Sequence, residues 1–232
     1  MKNDLTIIIP TRNTVSNRTL ESLPKNISLL VGVDRGEGQT KIRYDLAKKC
    51  FTKYILLLDD DVVLNEFDIK KMLQTIKEND CSAVCGELKP IAVNNFSKTI
   101  LRYKNNPTSF YSTGITIWDR EMFLFVMYYV PNDCPKNVGD LVIKDIMCRE
   151  GIKFLKLIDV VANHYIDVSM KQFFVYRYNC GICLSWYHQK YLREGYLRLL
   201  LKMFFGLPLS RDQGIFVYRL GSFIGLLRGC LV

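Results

Sequence analysis

Apolar and polar positions along the first two-thirds of the chain fall into blocks whose length and period separate strands from helices. "LTIIIP" (5–10) is a continuous apolar run closed by proline, which predicts a strand buried on both faces. A short helix through "NRTLESL" (17–23) and a second strand, "SLLVGVD" (28–34), follow. In "TKIRYDLAKKC" (40–50), Ile42, Leu46, Ala47 and Cys50 share one helical face. "YILLL" (54–58) predicts a third buried strand. Asn65 then caps a helix carrying Glu66 and Asp68 in its first turn and Ile69, Met72, Leu73 and Ile76 at helical spacing. "CSAVCGEL" (81–88) predicts a fourth strand. Strand and helix in regular alternation argue for an α/β fold, a mostly parallel sheet covered by helices on both faces.

Ligands of such sheets bind beyond the carboxyl ends of the strands. Three of those ends are polar here: Thr11 and Arg12, Asp34 and Arg35, and Asp59 to Asp61. Loop solvation accounts for one aspartate but not for three in a row after a buried strand. Like charges so close repel, and burying one without a partner costs several kcal/mol. Side chains alternate along a strand, so Asp59 and Asp61 point to one side, roughly 6–7 Å apart at ~3.3 Å per residue, and Asp60 points away. Two carboxylates so placed suit a hard divalent cation, Mn2+ or Mg2+, together with the ribose or phosphate oxygens of a nucleotide.

Composition adds a boundary. The 232 residues, 49% hydrophobic and 24% charged, suffice for one main domain with an appendage. Eight cysteines and no signal-peptide pattern at the start lead us to expect reduced thiols and an intracellular, cytoplasmic protein. The net charge is +9, of which residues 171–232 carry +7, from nine Lys/Arg against Glu194 and Asp212. We therefore divide the chain into a domain over 1–168 and a basic, aromatic-rich helical extension over 169–232. Within the extension, 185–209 and 215–232 mix Trp, Tyr, Phe and Leu with Arg and Lys, and neither reaches eighteen uncharged apolar residues, which argues against a simple transmembrane helix. Amphipathic helices lying peripherally on a membrane face fit this pattern. Packing of the same helices on the sheet or on a second subunit is the alternative.

The segments "LTIIIPTRN", "VGVD" and "YILLLDDDVVL", followed by "STGITIWDREMF" (112–123) and "GDLVIKDIMCREG" (139–151), resemble family 2 glycosyltransferases of GT-A fold in order and spacing over residues 4–165. The resemblance implies a Rossmann-like nucleotide-binding domain and a metal-dependent transfer of sugar from a UDP- or GDP-sugar donor to an acceptor, with inversion. It places Pro10, Thr11, Arg12, Asp34, Asp59 and Asp60 on the nucleotide sugar. Arg43 faces the diphosphate in this reading, and Thr113 and Gly114 lie beside the acceptor. Asp61 becomes the leading metal ligand, with Asp59 and His164 completing the shell, and Asp140 becomes the general base. Some relatives act on lipid-linked acceptors, so a membrane-held acceptor suits the basic extension.

The residues also admit duller roles. Asp140 precedes a helix-like run ended by Gly151 and serves equally as an N-cap. His164 fits a core histidine, and Arg43 fits a solvated helix face. The Gln-x-x-Arg-Trp element is absent, which argues against a processive polysaccharide synthase. A nucleotidyltransferase would carry a glycine-rich basic loop where this chain has "PTRNTVSN". A nucleic-acid-binding protein would use the basic tail and leave the aspartates unexplained. An inactive GT-A-like scaffold is the remaining alternative.

Overall fold

The computed structural model describes residues 4–101, 113–135, 139–187, 190, 220–225 and 227–228. Seven strands form one sheet: β1 (Leu5–Thr11), β2 (Ser28–Val33), β3 (Tyr54–Leu58), β4 (Val62–Val63), β5 (Ala83–Ala92), β6 (Ile115–Asp119) and β7 (Phe154–Ile166). Their order is β2-β1-β3-β6-β5-β7-β4. The helices are α1 (Asn17–Ser22), α2 (Gln39–Ala47), α3 (Glu66–Glu78), α4 (Asn95–Leu101), α5 (Arg120–Tyr128), α6 (Gly139–Arg149) and α7 (Met170–Tyr187).

The continuous apolar runs become the centre of the sheet. Every residue of β1 and β3 is buried, and both pair in parallel, with Ile7 opposite Leu29 on β2 and Leu56 on β3. Together with Ile69, Met72, Leu73 and Ile76 of α3 they build the main core. Each such side chain contributes about 1.5–3 kcal/mol on removal from water. Asn65 caps α3 as its position predicts, accepting from the Asp68 N–H at 2.8 Å. Asp119 likewise caps α5, accepting from the N–H groups of Glu121 and Met122.

The parallel arrangement extends over β2-β1-β3, and beyond it the sheet is mixed. β6 runs antiparallel to β3, with Leu58 opposite Ile115 and Tyr54 opposite Asp119. This reversal positions the site, because it sets the start of β6 against the carboxyl end of β3. β4 and β7 are also antiparallel, with Val62 opposite His164.

The chain divides into two compact units, Met1–Ile91 with Thr108–Tyr165, and Ala92–Pro107 with Ile166–Val232. In the second unit, Asn94 ties α4 to the segment before α7 through hydrogen bonds to Asp167 and to the Val168 carbonyl. Phe96 and Phe173 meet edge to face, 5.9 Å between centroids. Helical residues 220–225 lie against α7 so closely that a Cβ on Gly225 would meet the Tyr178 carbonyl oxygen at 1.9 Å. Arg177 donates to the Ser222 hydroxyl at 3.1 Å. No helix among the described residues is long and apolar enough to cross a membrane. Most of the aromatic and basic residues of 185–232 lie outside the described residues.

Candidate functional site

The site forms where β1 and β3 end and β6 begins. Asp59 follows β3, and its N–H donates to the Gly114 carbonyl at 3.1 Å, which continues the β3/β6 ladder by one step. Gly114 has to lack a side chain here: a Cβ would stand 2.2 Å from Asp59 Oδ2. The carboxylate is thereby seated against backbone on one side. On the other side it meets a cation, since Arg43 Nη2 donates to Asp59 Oδ1.

Arg43 lies on α2 at i−3 from Leu46 and i−4 from Ala47, so it shares their buried face and is 4% exposed. The arrangement answers one of the open readings: this arginine is not on a solvated face. Its Nη1 donates to Thr113 Oγ1 at 2.8 Å. Thr113 in turn bonds Asp140 Oδ1 at 2.5 Å. Asp59, Arg43, Thr113 and Asp140 thus form one continuous chain, buried at Arg43 and Thr113 and partly buried at the two carboxylates. Arg43 Nε has no hydrogen-bond partner among the described residues, an unmet donor of the kind that costs about 1–3 kcal/mol.

Asp140 sits in the first turn of α6, where the helix N-terminus favours a carboxylate. The helix begins at Gly139, whose missing side chain lets it approach α2; a Cβ there would meet Thr40 Oγ1 at 2.2 Å. Thr40 lies one turn before Arg43, so this close approach brings Asp140 toward the same face of α2 that presents the arginine.

Asp61 has a different setting. Its side chain is 43% exposed, and Oδ2 lies 3.2 Å from His164 Nε2. The β4/β7 pairing supplies that neighbour, and the Tyr165 N–H donates to the Asp61 carbonyl at 3.1 Å. Asp60 is partly buried between the two. Its carbonyl oxygen accepts from the Ser16 N–H at 3.0 Å and the Thr19 hydroxyl at 3.1 Å, fixing the start of α1 to the strand end.

Burial pushes the Asp59 carboxyl above the usual carboxylate range; Arg43 pulls it down, while Asp140 and Asp61 push it further up. Burial also raises Asp60, opposed by a hydrogen bond from Thr11 and reinforced by Asp61. Four carboxylates around one strand end are thus only partly balanced by Arg43 and Arg12.

The remaining sequence candidates border this centre. Thr11 is buried at the end of β1, and its carbonyl accepts from the Asp34 N–H at 2.7 Å. Pro10 is buried within β1 opposite Gly32. The Asp34 carboxylate is folded onto its own turn, Oδ1 accepting from the Gly36 N–H at 2.9 Å and the Gly38 N–H at 2.8 Å. Both glycines hold positive φ, 124° and 95°, a backbone that other residues rarely adopt. Arg12 is exposed. Sequence reasoning missed Arg18, whose guanidinium stacks 4.8 Å over the Tyr165 ring beside His164. Nothing in the helix pattern of 17–23 marked that contact, because its partner is far along the chain.

Asp61 and His164 offer a carboxylate oxygen and an imidazole nitrogen; the oxygen suits a hard cation such as manganese or magnesium, and the nitrogen favours manganese of the two. Among the described residues no three His, Cys, Asp or Glu side chains stand close enough to hold a metal by themselves. A cation here would complete its shell with ligand oxygens and water.

Comparison with known proteins agrees with this architecture. The sequence model described as "Glycosyl transferase family 2" matches residues 18–129. Among solved structures, the mannosyltransferase PcManGT from Pyrobaculum calidifontis, in complex with GDP-Man and Mn2+, is 12% identical with a TM-score of 0.57, over 100% of this chain and 74% of that one. TarS residues 1–349 of S. aureus, in complex with UDP, is 13% identical with a TM-score of 0.52, over 94% and 90%. A197 from STIV is 20% identical with a TM-score of 0.50, over 71% and 86%. No curated protein matches the chain. A sheet of this topology with a family 2 match running from α1 through α5 makes the chain similar to family 2 glycosyltransferases of GT-A fold.

Proposed function

We propose that the protein transfers a sugar from a nucleoside-diphosphate sugar, with a UDP or GDP carrier, to an acceptor hydroxyl or phosphate, with inversion at the anomeric carbon. The observation that carries the reading is the convergence of Asp59, Asp61, His164 and Asp140 at the carboxyl end of β3 in a family 2 domain. Neighbours of the same fold in complex with GDP-Man and Mn2+ and with UDP add support for a nucleotide-sugar donor.

In this reading Thr11, Arg12 and Asp34 border the base and ribose, and Asp60 stands under the nucleotide. Asp61 and His164 hold a divalent cation, Mn2+ or Mg2+, which when bound neutralises the leaving diphosphate as a Lewis acid. Asp59 assists mainly by charge, since one of its oxygens is committed to Arg43. Arg43 itself serves Asp59 and Thr113 before any phosphate. Asp140 removes the proton of the acceptor, a contribution typically worth 10²–10⁴-fold as a rough guide. A single base opposite the leaving group accounts for inversion. The basic extension 169–232 holds the acceptor, a lipid-linked one, at a membrane surface.

Titration calorimetry with UDP, GDP and their sugar conjugates, with and without manganese, tests the proposal against an Asp61→Ala control. The expected result is metal-dependent binding of one nucleotide class that disappears in the variant. Absence of binding under every condition overturns the reading.

A further inference from the structure

We infer that Thr113 is a positioning residue that decides which oxygen of Asp140 receives the acceptor's proton. The inference rests on the transferase reading and refines it. A guanidinium has donors and no acceptor, so Thr113 Oγ1, 2.8 Å from Arg43 Nη1, takes the acceptor role in that contact. A threonine hydroxyl has one proton. With its oxygen engaged by Arg43, that proton is directed to the other close neighbour, Asp140 Oδ1, at 2.5 Å. Thr113 is 2% exposed, so its hydroxyl is held between these two groups.

The consequence falls on the two oxygens of Asp140. Oδ1 accepts a short, charge-assisted hydrogen bond and is occupied by the threonine hydroxyl. Oδ2 has from Thr113 only the backbone N–H at 3.5 Å, the limit of hydrogen-bond range. Oδ2 is therefore the oxygen that Thr113 leaves the more open to the acceptor. As the acceptor oxygen bonds to the anomeric carbon, its O–H bond breaks and the proton passes to Oδ2. The bond from that carbon to the diphosphate breaks, and the electron pair leaves with the diphosphate. Arg43 grips Asp59 with its other terminal nitrogen, so the aim of the base is set from the donor-side carboxylate. Thr113, expected beside the acceptor, acts through Asp140.

The test compares the full-length wild type with Thr113→Val, which keeps the shape and removes the hydroxyl, and Thr113→Ser, which keeps the hydroxyl. Nucleotide release from GDP-mannose and from UDP-glucose is followed with manganese present, and thermal unfolding is recorded for each protein. The expected result is a kcat lowered by about 10–100-fold in Thr113→Val, with the donor KM within about twofold. Thr113→Ser is expected to keep kcat within about threefold of the wild type. A purely structural role would instead lower the folded fraction of both variants. If Thr113→Val does not fold, Thr113→Ala takes its place in the same comparison. Wild-type kcat in the hydroxyl-free variant, or equal loss in the serine variant, overturns the inference and leaves the transferase reading standing. A wild type that releases nucleotide from neither donor overturns both.

Discussion

Asp59 and Asp61 leave the same strand two residues apart, and strand geometry alone would treat them alike. The fold separates them. Asp59 is enclosed by Gly114 and Arg43 in a largely buried network that ends at Asp140. Asp61 stands partly open beside His164, its side chain 43% exposed. The closed half fixes geometry, and the open half meets what arrives from solution. Local sequence thus sets which groups are available, and the strands that pair with them set what each one does.

The largest test of this division is removal of the guanidinium. Arg43→Met leaves the largely enclosed Asp59 without its counter-charge, and breaking such a pair from one side is expected to cost about 3 kcal/mol, the low end for a buried pair. Urea unfolding measures it; an unchanged midpoint would mean that the closed half is not held by charge. Asp61→Asn is expected to leave stability within about 0.5 kcal/mol, as for an exposed site. It should weaken manganese-dependent nucleotide binding by about 100-fold, at the upper end for loss of support to a metal, and calorimetry reads both sides of that contrast. Gly114→Ala forces a methyl into Asp59 Oδ2 and is expected to destabilise by about 2 kcal/mol, as overpacking does. A crystal structure of that variant should show the carboxylate turned away from Arg43. His164→Gln keeps a polar side chain without the imidazole, and a loss of about tenfold in metal-dependent binding is expected.

The smallest effect is in pH. Asp59 and Asp60 titrate above the ordinary carboxylate value, so between that value and their raised one the folded state holds protons that the unfolded chain has released. Stability from these two groups therefore falls as pH rises through that window. The surface pairs of Asp4, Asp45 and Asp159 titrate low, and their contribution is gained below the ordinary value, in a separate range. Thermal scans from pH 4 to 7 should show a decline that is shallower in Asp60→Asn.

Much of this was legible because the apolar runs are unambiguous. Tyr54–Leu58 forms the strand its composition predicts, and Asn65 caps the helix that its spacing predicts. The apolar face of 40–50 predicts a helix over that range, whereas α2 ends at Ala47, with Arg43 among its buried residues. The spacing to Leu46 and Ala47 carried that information. A cation on an apolar face makes sense only once its counter-charge is known, and Asp59 lies 16 residues away and Thr113 lies 70. The direction of β6 was not legible either, since a strand's own pattern does not say which way it runs beside its neighbour. That direction is what delivers Gly114 to Asp59.

The two halves of the site also close different lengths of chain. Arg43 reaches Thr113 across 70 residues, and Asp61 reaches His164 across 103. Closure of long loops is entropically costly and kinetically slow compared with docking of neighbours along the chain. Refolding should therefore recover the part of the circular dichroism that belongs to β1, β2 and β3 first and nucleotide binding later, the last step being the arrival of β7 at the end of β3. A newly made chain would acquire its fold before its chemistry.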